Sequence, residues 1–473
     1  MDFSSYITDY FIGTHLEDLN PQTTAPSREN TVLVIAYYFP PMGLSGVQRT
    51  LKFVKYLPDF GWKPIVLTTP ADTPYYAFDE SLLEELEEEV AAGKVIIYRT
   101  EADPSLRRAK KSGKLLKLPR QWWQRVRSKL VQIFRQPDSR IGWKEIAIKK
   151  AEEIFAEHKI DAIFSTAPPY TDFLIARDLK DKYNVPYLMD YRDAWVYNPV
   201  LNFYLTPFHK KKAHKIEYEA LRASDAITVA NRRMKEVLLS NYIFLDWNDV
   251  AILPHGFDPA DMEKAKLLAS NLVKPDTFTV TYSGAFYVGR SPKALLQAAK
   301  EAIAEVPELG GCLDLHFAGI LQKEYKKLVR KYKLENNVSE EGYLPHIESV
   351  AHLLASDVLW MTMSDDLSAP GKMYEYIGTR KPILGLVPKG SHAARLLNEY
   401  GNAKLAEPNN VQEIKNALLE YFRLWKEWKL PVASDEEFLK KYDRQYLSKE
   451  LALQLTFMSG SLDGEIKKLR RKY

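Results

Sequence analysis

The 473-residue sequence predicts an α/β protein with two doubly wound parallel-sheet domains that face each other across a cleft. Three observations lead there. Short apolar runs alternate with segments of helical period, the pattern of parallel strands covered on both faces. The alternation stops at Pro259–Pro275 and then restarts. The chain is 46% hydrophobic and 27% charged, an ordinary globular balance with enough apolar material for two cores.

In chain order, residues 1–30 are polar and read as an extension. Thr31–Ala36 is the first strand, and Gly46–Leu57 has helical spacing. A Gly61-Trp-Lys-Pro turn leads to Ile65–Thr69. The strands Val95–Tyr98, Asp161–Thr166, Tyr187–Asp190, Ala226–Ala230 and Val250–Leu253 follow, with helices predicted over Lys144–His158 and Thr171–Tyr183. After the break come Thr277–Ser283, Leu313–Gly319, Val338–Gly342, Asp357–Met361, Ile383–Val387 and Lys404–Ala406. The expected domains are 31–258, with a basic amphipathic insertion at about 104–144, and 275–432; residues 433–473 form a helical segment with a basic tail. Two such sheets place their ligand where the carboxyl ends of the strands meet the cleft.

Composition narrows the function. The one cysteine, Cys312, allows no internal disulfide, which fits a reducing compartment. The start of the chain lacks a signal-peptide pattern, and no apolar run approaches a membrane span. A cytoplasmic protein is expected, peripheral at the inner face of a membrane if the insertion binds lipid. The net charge is +4, yet residues 107–144 alone carry thirteen Lys or Arg and one acid, so the rest of the chain is acidic. Within that stretch Trp122, Val126, Leu130 and Ile133 form one apolar stripe, with Arg125, Arg127 and Lys129 off it. A basic helix with tryptophans suits an anionic membrane interface. It equally suits a surface helix packed on its own domain. No nucleic-acid motif accompanies the charge, so nucleic acid is not expected as a partner.

The strongest motif is Ser368-Ala-Pro-Gly-Lys-Met-Tyr-Glu375. Pro370 and Gly371 open a short helix whose first N–H groups attract an anion, and Lys372 adds a positive charge. Glu375, three residues on, shares its face and can accept from vicinal hydroxyls. Diphosphate plus ribose fits that pair. Gly284 and Arg290, in Tyr282-Ser-Gly-Ala-Phe-Tyr-Val-Gly-Arg290, allow close approach and a forked phosphate contact. The alternative is a loop with an exposed arginine.

In the first half, Gly43 and Gly46 lie between a strand and a helix, where a ligand or the turn itself requires glycine. Asp190, Arg192 and Asp193 follow a strand and are expected to face the cleft; the alternative is a salt-bridged loop. Ser165 and Thr166 read as helix caps or as hydroxyls facing an acceptor. His209 with His214 and His346 with His352 lack metal-ligand spacing, and no Asp-x-Asp pair occurs. No metal and no cofactor are expected.

These motifs, in order, resemble the GT-B-fold retaining glycosyltransferases of family 4, in the branch with Tyr-Phe-Pro-Pro and Asp-Phe-Arg-Asp-x-Trp signatures. The markers are Tyr38-Phe-Pro-Pro with Gly46 and Arg49, Ser165-Thr-Ala-Pro-Pro, Asp190-Tyr-Arg-Asp-Ala-Trp, Leu253-Pro-His-Gly-Phe-Asp258, Tyr282-Ser-Gly and Pro370-Gly-Lys-Met-Tyr-Glu-Tyr. The resemblance runs from about Val32 to Pro408. It implies Rossmann-like domains, the first binding an acceptor and the second a nucleotide sugar. Glu375 matches the later glutamate of the family's paired motif, which implies a ribose contact. Leu367 stands at the earlier glutamate's position, and Asp365 or Asp366 would substitute. Arg192 or Asp193 holds the place of a first-domain histidine.

The expected function is transfer of a sugar from a nucleotide donor to a glycan or lipid-linked acceptor. In retaining members the leaving phosphate helps deprotonate the acceptor. Arg290, Lys372 and the helix start would stabilise charge on the departing diphosphate without a metal. Two alternatives stand beside this: a sugar-nucleotide epimerase, and a catalytically silent nucleotide-sugar-binding scaffold.

Overall fold

A computed structural model of the chain describes residues 30–43, 45–101, 135–198, 204–286 and 289–460. The extension at 1–29, the apolar stripe over Trp122–Ile133 and the tail after Gly460 lie outside the described residues.

The first sheet has seven strands, β1 (Asn30–Ile35), β2 (Trp62–Thr68), β3 (Ile96–Arg99), β4 (Ala162–Ala167), β5 (Tyr187–Tyr191), β6 (Ala226–Val229) and β7 (Val250–Ile252). They lie in the order β3-β2-β1-β4-β5-β6-β7, every pairing parallel. The second sheet has six strands, β8 (Phe278–Ser283), β9 (Leu313–Ala318), β10 (Val338–Glu340), β11 (Val358–Thr362), β12 (Ile383–Leu386) and β13 (Ala403–Ala406). Their order is β10-β9-β8-β11-β12-β13, again all parallel. In each sheet the order reverses beside the first strand, β1 or β8. That reversal is the switch point at which doubly wound sheets bind ligands.

Side-chain alternation explains the two-sided burial. Leu33 and Ile35 enter one cluster of the first domain, while Val32 and Val34 enter another on the opposite face. The second sheet is likewise sandwiched between two clusters. The helices that matter for the cleft are α1 (Ser45–Tyr56), α2 (Lys144–Glu157), α3 (Thr171–Tyr183), α4 (Pro207–Ala223), α5 (Pro259–Ser270), α6 (Lys293–Glu305), α7 (His346–Ala355), α8 (Gly371–Gly378) and α9 (Arg444–Ser459).

Two features depart from expectation. Pro259–Pro275 is not simply a break. Pro259 is the first residue of α5, and the Asp258 carboxylate caps it by accepting from Ala260 N at 2.9 Å. Met262, Ala265 and Ala269 then pack in the second domain's cluster. The end of the chain also crosses back to the first domain. Leu447, Leu451 and Leu455 of α9 are buried in the cluster that holds α1, and Trp62 Nε1 donates to Thr456 Oγ1 at 2.9 Å. Each such leucine contributes about 1.5–3 kcal/mol by burial, so α9 fastens the two halves together.

Candidate functional site

The first-domain wall begins where β1 ends. Gly43 N donates to Ala77 O at 2.9 Å, and a Cβ on Gly43 would fall 2.3 Å from the Tyr343 hydroxyl. The close approach that Gly43 permits is therefore to the other domain. Gly46, in the first turn of α1, accepts from Arg192 Nη1 at 2.6 Å through its carbonyl. Arg192 Nη2 also donates to Pro168 O at 3.1 Å, so Arg192 ties three βα loops together.

Asp190 does not face the cleft. It is fully buried and accepts from Arg49 Nε at 2.9 Å and Nη2 at 2.8 Å, from Thr166 Oγ1 at 2.8 Å and from Thr228 Oγ1 at 2.9 Å. Arg49 also donates to the carbonyls of Leu253 and Pro254. Both partners are saturated inside the protein, which makes this a buried structural pair. Ser165 and Thr166 are not caps either: β4 continues to Ala167, Ser165 Oγ bonds the Tyr187 hydroxyl, and Thr166 serves Asp190. Asp193, by contrast, is half-buried beside the cleft. Burial pushes its carboxyl above the usual range, against the pull of Arg192 and Arg290.

The second-domain wall forms around β8. Ser283 N donates to the Tyr376 hydroxyl at 2.7 Å, and Gly284 turns with φ +90. A Cβ on Gly319 would fall 2.5 Å from Gly284 O, so both positions require glycine. Pro370 caps α8 without a side-chain hydrogen bond, and Gly371 is its first residue. One position on, Lys372 Nζ donates to Ser283 O at 2.6 Å and sits 3.9 Å from the Tyr282 ring centre. Among the described residues Lys372 makes no ion pair. Burial, reinforced by Arg290, pushes its ammonium well below the usual lysine range, and Glu375 offsets part of this. Arg290 is half-buried, within electrostatic reach of both Lys372 and Asp193.

Between the walls lies a cavity of about 120 Å³, open at its mouth and lined by Ser283, Gly284, Tyr343, His346, Lys372 and Glu375 among others. Asp366 is not in it. That residue is exposed on the rim, 3.4 Å from Arg233 Nε, while Leu367 packs into the first domain's cluster. Asp365 is the buried carboxylate here: Oδ1 accepts from Leu367 N and Ser368 N, and Oδ2 has no partner among the described residues.

A charged knot behind the cavity was not foreseen from sequence. The Lys52 ammonium lies 2.6 Å from Glu85, 2.7 Å from Asp258 and 2.8 Å from Asp261. Burial works against its charge, but the three carboxylates hold its pKa above the usual range. His346 Nε2 is 3.2 Å from Asp261 and its Nδ1 is 4.0 Å from Glu375, while His346 N donates to Asp79 at 2.8 Å. Burial disfavours its protonation, yet Asp261 and Glu375 outweigh that and raise its pKa. The knot thus joins α1, α5, α7 and α8 beside Glu375.

No protein-family model matches the chain, and no curated protein matches it. Solved structures do. Sucrose-phosphate synthase from Thermosynechococcus elongatus is 13% identical, with 94% of this chain and 98% of that one covered and a TM-score of 0.56. Anabaena HepE in complex with UDP is 14% identical over 94% and 100%, with a TM-score of 0.53. A UDP-N-acetylglucosamine 2-epimerase from Listeria monocytogenes, itself described as putative, is 13% identical over 90% and 96%, also with a TM-score of 0.53. At such identities the likeness speaks for architecture alone. Together with the two parallel sheets and the cleft between them, it establishes that the chain has the GT-B fold.

Proposed function

We propose that the chain is a glycosyltransferase of the family-4 retaining type, moving a sugar from a nucleoside diphosphate to a glycan or lipid-linked acceptor. One observation carries this reading. Lys372 is a cation held in the cleft at the start of α8, beside Gly284, with a carbonyl and a ring as its partners among the described residues. A lysine kept where its charge is disfavoured marks a missing anion. The neighbouring structures with UDP and UDP-glucose bound to HepE support a nucleotide diphosphate as that anion.

In this reading the diphosphate lies over Gly284, against Lys372, Arg290 and the first N–H groups of α8 behind Pro370 and Gly371. These charges stabilise the leaving group as the anomeric bond breaks. The departing phosphate takes the acceptor proton on the same face, so the protein supplies no strong nucleophile. Asp193 reaches the acceptor side, where its carboxylate accepts from a neighbouring hydroxyl of the acceptor and orients it, the attacking hydroxyl's own proton going to the phosphate. Arg192 positions the first-domain loops through Gly46. Closure of the two domains excludes water, which would otherwise hydrolyse the donor.

The test is a melting-point screen against UDP, GDP, ADP and their common sugars, followed by product analysis without added magnesium or manganese. One nucleotide is expected to raise the melting point, because ligand binding favours the native state. The matching donor is expected to yield a glycosylated acceptor. No shift with any of them removes the nucleotide-sugar reading, and an epimerised donor without transfer removes the transferase.

Glu375 is assigned to the ribose hydroxyls. Glu375→Ala is expected to weaken donor binding roughly 10- to 150-fold, the equivalent of about 1.5–3 kcal/mol for a charged hydrogen bond. An unchanged donor affinity with a normal melting curve would remove that assignment.

We place the enzyme in the cytoplasm, against the inner face of a membrane where a lipid-linked acceptor resides. Among the described residues no helix is long and apolar enough to cross a membrane. The support is a surface at the start of α4. Leu205 and Phe208 are 51% and 71% exposed there, and Lys210, Lys211, Lys212 and Lys215 surround them. The first turn of α4 has no acid, contrary to what the helix dipole favours. Gln136, in the described end of the basic stretch 107–144, donates to His209 O at 3.1 Å, so residues about Gln136 meet the start of α4. Each basic residue near an anionic surface contributes up to about 1 kcal/mol. The protein is expected to co-sediment with anionic vesicles at low salt and to be released by charge reversal at Lys211, Lys212 and Lys215 together with Arg125, Arg127 and Lys129. Protein that stays in the supernatant at low salt would exclude the membrane.

A further inference from the structure

The second domain holds a cluster that the cleft chemistry does not use. We propose that His316, His352 and Glu341 form a site for a zinc-class divalent ion. Their ligand atoms all lie within 4.8 Å of one another. Strand alternation assembles most of it: Asp314 and His316 project from one face of β9, and Ser339 and Glu341 from the same face at and just beyond β10. Ser339 pairs directly with His316 in the register. The helix α7 covers this face, and the His352 ring lies edge to edge with that of His316, centroids 4.9 Å apart and planes 17° apart.

The protons settle which nitrogen is available. Ser339 Oγ lies 2.7 and 2.9 Å from the two oxygens of Asp314, which pairs with Lys274 at 2.6 Å. A carboxylate only accepts, so the serine's one proton goes to Asp314. His316 Nδ1, 2.7 Å from the same hydroxyl, must then donate to it. Nε2 is left with its lone pair, aimed at His352 Nδ1 at 2.9 Å. A carboxylate that orients a ligating imidazole is the usual outer support of a metal site, here relayed through one hydroxyl. With N–metal distances near about 2.0–2.1 Å, that 2.9 Å separation corresponds to an angle of roughly 90°. A widening of a few tenths of an ångström reaches the tetrahedral angle.

The donor set selects the ion. Two imidazoles and one carboxylate suit zinc and its transition-metal neighbours, whereas calcium and magnesium take oxygen ligands. The charged groups facing the cluster are Asp314, Glu341 and Glu348, with Lys274 already paired to Asp314. An ion here would tie the exit of β10 to α7. That exit runs directly into Tyr343 and Leu344, and Ser349 of α7 bonds Ser283 at 2.9 Å, so the ion would brace a wall of the cleft. The site is separate from the diphosphate and stands whether or not the transferase reading holds.

The test uses untagged full-length protein stripped with a chelator and titrated with cobalt(II) alone. A visible d–d band that saturates at one equivalent and is displaced by zinc is expected. His352→Gln should abolish the band, and the exposed Glu341→Gln should weaken binding without touching the core. Ser339→Ala, which touches no ion, should weaken it about 10- to 100-fold. No saturable band, or equal affinity in the folded Glu341→Gln and His352→Gln proteins, would show only a neutral hydrogen-bonded histidine pair and overturn the proposal.

Discussion

Lys372→Met is expected to lower kcat/KM by about 10²- to 10³-fold, the loss typical when one preorganised group for developing negative charge is removed. Methionine keeps much of the aliphatic stem that carries the ammonium to the Tyr282 ring. The melting point of the free protein should therefore hold or rise, because an ammonium that burial disfavours has gone. Activity and stability then move independently or in opposite directions, which a structural lysine would not allow. The affinity for a nucleoside diphosphate should fall with turnover, and the affinity for the bare nucleoside should not. There is also a pH signature. The lysine's pKa is lowered in the free cleft, and a bound diphosphate favours the charged form. Binding to the parent protein is thus expected to weaken as pH rises through that lowered pKa, a dependence absent from Lys372→Met. Turnover within about threefold of the parent, or a collapsed melting point, would contradict the assignment of Lys372 to the leaving group.

The sheets were legible because a parallel strand covered on both faces is an uninterrupted apolar run. Thr31–Ala36 and Leu313–Gly319 stand against β1 and β9 with shifts of one residue at an end. The helix over Thr171–Tyr183 was legible to the residue. α5 was missed because prolines at both ends of Pro259–Pro275 read as loop punctuation. Pro259 is instead the residue that tolerates a missing N–H at a helix start, and Asp258 beside it is the cap.

The site divides along the same line. Lys372 and Glu375 share a local register, so a three-residue spacing suffices to pair them. Asp190 was placed correctly at the end of β5 but given the wrong surroundings. Its partner Arg49 lies 141 residues upstream, and periodicity carries no information about which helix crosses which strand. The same distance problem hid the knot of Lys52, Asp261 and His346, where the contacting residues are 209 and 85 apart. The histidine cluster proposed as a metal site is of the same kind, since sequence spacing compares neighbours along the chain. His316 and His352 meet across a strand and a helix instead, 36 residues apart.

The Arg49–Asp190 pair gives the second large effect, on stability. Arg49→Met leaves the Asp190 carboxylate buried with two threonine hydroxyls and no counter-charge. Removing one partner of a buried pair costs about 3–5 kcal/mol, which for a domain of this size lowers the melting point by roughly 6–20 °C. The pH dependence identifies the cause. In the parent, burial alone would raise the Asp190 pKa, but Arg49 and the threonine hydroxyls hold it below the usual carboxylate range. The pair's contribution is complete above the unfolded pKa of about 3.9 and is lost as pH falls through the lower folded value. In Arg49→Met the sign reverses. The folded pKa rises, so the variant is least stable at neutral pH and recovers relative to the parent as acid protonates Asp190. Melting curves at several pH values from 7 toward 4 should show the gap closing. A gap independent of pH would mean that the loss comes from the guanidinium's contact with the Phe53 ring and not from the stranded carboxylate. Asp190→Asn, which strands the arginine, should also lower the melting point. An Asp190→Asn protein with a parental melting curve and no turnover would return Asp190 to the chemistry.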